Sequence, residues 1–81
     1  MRITVRLCAR LRDIVGSGEL TREVDADATV RTVWDALVAE FPAAASYERS
    51  LSVAVNADYA RMNSRLADGD DVAFLPPVSG G

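Results

Sequence analysis

Hydrophobic and polar positions alternate from the first residues. Ile3, Val5 and Leu7 interleave with Arg2, Thr4 and Arg6, the period-two signature of a half-buried strand, so a first strand is predicted over Arg2 to Leu7 with Ile3, Val5 and Leu7 facing inward. The period then changes. Leu11, Ile14 and Val15 stand at helical spacing within Ala9 to Val15 and are stopped by Gly16-Ser17-Gly18, which predicts a short helix or helical turn. From Glu19 to Val24 alternation returns, with Leu20, Arg22 and Val24 on one side, and a second strand is expected to run back antiparallel to the first. Asp25, Asp27 and Thr29 bring turn and capping chemistry, after which Val30, Val33, Leu37, Val38 and Phe41 follow the spacing of an amphipathic helix. Trp34 borders that stripe and is expected in or beside the core. Pro42 ends the helix, because it has no N–H to donate and crowds the residue before it.

Ala43 to Ser50 reads as connection. Leu51, Val53 and Val55 alternate with Ser52, Ala54 and Asn56, predicting a third strand, a turn through Asn56-Ala57-Asp58 and a brief strand near Tyr59 to Met62. Asp68-Gly69-Asp70-Asp71 is a tight-turn sequence leading into a last strand over Val72 to Leu75, with Val72 and Phe74 inward. That acidic turn lacks the closing glutamate and the spread of ligands over about 12 residues that a calcium loop needs. The order strand, strand, helix, strand, brief strand, strand fits an α+β domain in which one main helix covers one face of a mixed sheet. This is the β-grasp, or ubiquitin-like, pattern. It is expected over residues 1–75, with residues 76–81 forming a flexible, extended C-terminal tail.

Composition narrows the possible functions. The 81 residues are 49% hydrophobic and 26% charged, enough for one small core and too few for a second domain. A net charge of -3 argues against nucleic acid as the main partner, since phosphate binding needs clustered positive charge. Arg2, Arg6, Arg10 and Arg12 concentrate near the start, where alternation reads them as a solvated face or as a contact for an acidic protein surface. All nine basic residues are arginine, and histidine is absent. The chain therefore lacks the usual general base, the commonest metal ligand and a Schiff-base nucleophile, so catalysis by its own side chains is not expected. Cys8 stands alone, with no second thiol or imidazole for a disulfide or a zinc site, and a reducing, cytoplasmic setting is expected. No run of about 18 apolar residues is present, so no membrane span is expected.

The chemistry is expected in the last six residues, Pro76-Pro77-Val78-Ser79-Gly80-Gly81. Two prolines have no donors to extend a sheet and stiffen the chain, and two glycines without side chains let a backbone pass through a narrow channel. The working group is then the α-carboxylate of Gly81, a poor acylating agent until it is activated as a mixed anhydride with the α-phosphate of ATP. Neither GxxxxGK[ST] nor GxGxxG occurs in the sequence, so that activation is expected from a separate enzyme.

VAFLPPVSGG, with AVN at Ala54 to Asn56 and the LADGDDV turn, resembles the small, sulfur-carrying subunits of molybdopterin synthase in the MoaD/ThiS ubiquitin-like superfamily. The likeness spans essentially the whole chain. It implies that an E1-like adenylyltransferase uses ATP in trans on Gly81, and that a sulfurtransferase system converts the carboxylate to a thiocarboxylate. It further implies that the tail enters the large subunit, in a heterotetramer, and gives sulfur to cyclic pyranopterin monophosphate to make the dithiolene of molybdopterin. No cofactor is then held stably by this chain. A terminal Gly-Gly is shared with sulfur carriers of thiamine and cysteine biosynthesis and with ubiquitin-like protein modifiers, and these stand as alternatives, beside a plain interaction module with a dispensable tail. Leu75 and Cys8 fall out of phase with inward Phe74 and Leu7, and Tyr59 follows a turn. All three are expected on the helix-free sheet face near the root of the tail as a partner interface, with Cys8 smaller than the aromatic residue the resemblance leads one to expect.

Overall fold

The computed structural model describes residues 1–77. Alternation produces the strands expected of it. β1 (Arg2–Leu7) buries Ile3, Val5 and Leu7, and β2 (Glu19–Glu23) pairs with it antiparallel, Thr4 opposite Thr21. Between them α1 (Ala9–Val15) buries Leu11 and ends at Gly16, whose φ of 85° supplies the left-handed cap that a side chain disfavours. Arg22 is tolerated on the inward side of β2 because its guanidinium reaches out to Glu40 at 3.1 Å, leaving the alkyl stem over the core margin.

Thr29 caps α2 (Val30–Glu40) reciprocally with Thr32, each side chain meeting the other's backbone N–H. Val30, Val33, Trp34 and Leu37 are the buried stripe. Trp34 lies wholly inside, its ring centroid 5.0 Å from that of Phe74. Ala43 to Ser50, read as connection, falls within a 3-10 helix over Pro42–Ser50 with Ala44 buried. Its Glu48 explains the order: the carboxylate accepts from Trp34 Nε1 at 2.9 Å and from Arg31 at 2.8 Å, which ties this segment to α2.

β3 (Ser52–Val55) and β4 (Asp58–Ala60) form a hairpin whose two loop residues, Asn56 and Ala57, have φ of 51° and 71°. β4 is shorter than the strand expected to reach Met62, because Arg61 onward turns into the Ser64 loop. β5 (Asp71–Leu75) lies between β1, to which it is parallel, and β3, to which it is antiparallel. The strand order β2-β1-β5-β3-β4, with α2 over one face, is the mixed sheet of a β-grasp.

Candidate functional site

Strand register decides which residues meet where β5 ends. Leu7 pairs with Phe74 in the core, so the next residues, Cys8 and Leu75, adjoin on the opposite, helix-free face. Ser52 pairs with Leu75, and Tyr59 pairs with Ala54 on that same face. The result is a concavity of about 510 Å³. The β1–α1 junction contributes Cys8 and Ala9, the end of the 3-10 helix contributes Ser50, the start of β3 contributes Ser52, and Tyr59 walls the far side. Leu75, Pro76 and Pro77 complete it, so the chain leaves the sheet through its own concavity. Tyr59 is 85% exposed, an outlay of aromatic surface to water that a fold has no reason to make for its own stability. Cys8 is exposed with a free thiol, and its side chain makes no capping bond to α1. Ala9 turns the chain from strand to helix at φ 50°. The structure thus brings together Cys8, Tyr59, Leu75, Pro76 and Pro77. Val78, Ser79, Gly80 and Gly81 lie outside the described residues.

The rest of the helix-free face is built differently. Ala54 and Ala73 floor a shallow trough, flanked by Arg6 and Asp71 on one side and Asn56 on the other. Arg6 bridges Asp71 and Glu19, and hydrogen bonding to Asp71 is the first cause of its raised pKa. Arg2 is likewise held by Glu23 at 2.8 Å. These two arginines of the alternating run are therefore a solvated, internally paired face. The acidic turn is also consumed internally. Asp68 accepts from the Arg2 backbone, and Asp70 accepts from Asn56 and from the Ala67 backbone. Among the described residues no group of three or more Asp, Glu, Cys or His side chains is placed to hold a metal ion, and no helix is long and apolar enough to cross a membrane.

The sequence profile of the ThiS family matches residues 5–81. The chain belongs to the ThiS family. A molybdopterin synthase sulfur carrier subunit of Chlamydomonas reinhardtii is 35% identical to it over the full length of both. Small archaeal modifier protein 1 of Haloferax volcanii is 38% identical, over 94% of this chain and 97% of its own. Its crystal structure covers the whole of both chains with a TM-score of 0.86 and 34% identity. The BexX/CysO complex of Amycolatopsis orientalis contains a chain that superposes with a TM-score of 0.73 at 26% identity, over 98% of this chain and 99% of that one.

Within this ThiS-family fold, one group at the edge of the site had no signal in the sequence. Tyr59 also borders a second opening of about 350 Å³, where Arg31, Glu48 and Arg61 gather beside Met62. Arg31 first, and Trp34 second, hold the Glu48 carboxyl below the usual range, while Glu48 and then Asp35 raise Arg31. Glu48 lies in the segment read as connection, and nothing in its neighbours announces a partner in α2.

Proposed function

We propose that this chain is the sulfur carrier of a molybdopterin synthase, with the α-carboxylate of Gly81 as its working group. One observation carries the reading. Pro76 and Pro77 leave the sheet through the concavity of Cys8, Tyr59 and Leu75, so a partner that covers this surface sits at the root of the tail. Family membership and the carrier named in Chlamydomonas support it. CysO, a structural relative seen in complex with BexX, supports work in a protein–protein complex.

The chemistry needs no side chain of this protein. Held by an E1-like adenylyltransferase, a Gly81 carboxylate oxygen attacks the α-phosphorus of ATP, pyrophosphate leaves and an acyl adenylate forms. A sulfurtransferase then delivers sulfur, formally as hydrosulfide, to the acyl carbon, AMP departs, and a thiocarboxylate remains. In the large subunit this sulfur passes to cyclic pyranopterin monophosphate. The large subunit supplies the bases and the phosphate-binding groups, and this chain supplies sulfur and the docking surface. A reducing cytoplasm suits both the thiocarboxylate and the unpaired Cys8.

The likeness to the archaeal modifier favours a second reading, attachment to lysines of target proteins. Both readings begin with an activated Gly81 and diverge at the product. Incubation with the activating enzyme, ATP and a sulfur source, followed by intact-mass spectrometry, is expected to show one oxygen replaced by sulfur. Adding the large subunit and the pterin precursor should return the carboxylate and yield molybdopterin. Isopeptide adducts on other proteins without molybdopterin formation would replace the carrier reading with the modifier one.

A further inference from the structure

The formal charge of -3 is not spread evenly. Parallel pairing of β1 with β5 brings the C-terminal ends of both strands to one pole, Leu7 beside Phe74. β3 begins there, with Ser52 beside Leu75, and β4 ends there, with Ala60 beside Val53. Register therefore gathers the start of α1, the end of the 3-10 helix and the residue after β4 around the root of the tail. Each brings arginine: Arg10 and Arg12, Arg49, and Arg61. Arg10 lies against Tyr47 of the 3-10 helix, and Arg61 lines the opening beside Tyr59. Arg12 runs along Gly18, where an added Cβ would sit 3.5 Å from its Cδ and Nε.

None of these four is in an ion pair among the described residues, and all four are exposed. The carboxylates near them are few or engaged. Glu19 is taken by Arg6, Glu48 by Arg31 and Trp34, and Asp13 stands one turn along α1 from Arg10. The opposite pole, where β1 begins and the 56–58 and 68–70 turns lie, carries Asp25, Asp27, Asp58, Asp68 and Asp70. Its arginines are Arg65 and Arg2, the latter already held by Glu23.

We propose that the tail pole is a steering face for an acidic partner, a protein surface whose apolar centre meets Cys8, Tyr59 and Leu75 and whose rim of carboxylates meets Arg10, Arg12, Arg49 and Arg61. The inference rests on the sulfur-carrier reading and adds the partner chemistry that this reading leaves open. An acidic partner repels a chain of net negative charge in most orientations and attracts it only when the basic pole leads. Attraction and repulsion together then select the one approach that presents the tail. Exposed arginines contribute little to the affinity of the finished complex, so the effect belongs to the association rate. Nucleic acid fits less well, because phosphate would meet an apolar centre inside the rim and five aspartates at the far end.

The test is stopped-flow association with the large subunit of molybdopterin synthase from the same organism, from about 20 mM to about 300 mM NaCl, a range that shortens the Debye length severalfold. The association rate of the wild type is expected to fall about tenfold or more across this range. A variant carrying Arg10→Gln, Arg49→Gln and Arg61→Gln, checked for native circular dichroism, should associate about tenfold more slowly at low salt, with a dissociation rate within about twofold of wild type. Replacement by glutamine removes charge from exposed positions and leaves the core intact, and the wild-type salt series tests the proposal without any variant. A flat salt dependence, or a variant that matches wild type or differs only in dissociation, overturns the steering proposal while leaving the carrier reading standing. A wild type that fails to bind the large subunit at any salt overturns both. Single-stranded poly(U) RNA that binds this pole and displaces the large subunit would show that the arginines serve phosphates, and the acidic-partner proposal falls.

Discussion

Leu75 and Phe74 are adjacent in β5 and point to opposite faces, so truncating each should do different things. Phe74 is 0% exposed, with its ring against Trp34. Phe74→Ala should cost about 3–5 kcal/mol of stability, a large share of the roughly 5 kcal/mol expected at the low end for a domain this small. The fold should be marginal or lost. Leu75 is half-buried. Leu75→Ala removes three carbons, worth about 2.4 kcal/mol if fully transferred from water at about 0.8 kcal/mol each. The sheet already shields part of that surface in the free protein, so roughly half, about 1 kcal/mol, remains for a partner to cover, a five- to tenfold loss of affinity. Leu75→Glu should lose on the order of 100-fold, since a carboxylate must then be desolvated against apolar groups. Urea unfolding followed by circular dichroism, with titration calorimetry against the large subunit, separates the two effects. Unchanged affinity of Leu75→Ala, or loss of the fold in Leu75→Glu, would refute the assignment of this face to docking.

Deleting Gly81, or adding one residue after it, moves the reactive carbon by about 3.5 Å, and a misplacement of about 1 Å is able to cost roughly 100-fold in rate. Intact-mass spectrometry should therefore find no sulfur gained in either variant, with melting and docking unchanged. Ala57→Gly relieves a left-handed residue at φ 71° and should stabilise the hairpin by about 1 kcal/mol after allowing for the added freedom of the unfolded chain, read as a raised urea midpoint. Arg31 and Trp34 depress the pKa of Glu48, so its contribution to stability is present above the unfolded value of about 4.3 and is lost as pH falls through the lower folded value. The gap in urea midpoint between wild type and Glu48→Gln should be widest at neutral pH and close on acidification below about pH 4.3. Cys8→Ser should accept sulfur as wild type does, because the thiol has no histidine or lysine beside it to activate it; a folded, activated variant that gains none would refute the carboxylate mechanism.

Patterns confined to one element were legible in the sequence. Period two gave the inward faces of β1 and β5, and the Thr29 cap, the buried stripe and Pro42 bounded α2, because those signals come from residues a few positions apart. The parity of Leu7 against Cys8 and of Phe74 against Leu75 also put Cys8 and Leu75 on the helix-free face, where the strand register places them. Contacts made across long sequence separations were not legible. Glu48 is an ordinary exposed glutamate until α2 packs beside it and Trp34 Nε1, otherwise buried without a partner, needs an acceptor. For the same reason the 3-10 helix read as connection. The charge polarity was hidden because it depends on which strand ends share a pole, and the pairings of β5 with β1 and β3, and of β3 with β4, determine that.

The pairing of β5 with both neighbours also explains why the tail leaves from β5 and not from an edge. A terminal group that must be presented to a reactive centre within about 1 Å needs a root that does not move. Edge strands fray first, since one side of their backbone is bonded only to water. β5 is bonded on both sides, to β1 and to β3, and its Val72 and Phe74 are both fully buried. Displacing Leu75 along the strand direction would require breaking both ladders and withdrawing Phe74 from Trp34, which approaches global unfolding. Load placed on the tail is therefore carried by a strand bonded on both sides and anchored in the core. A fixed root at Leu75 is what a carrier needs if its tail must be delivered in register.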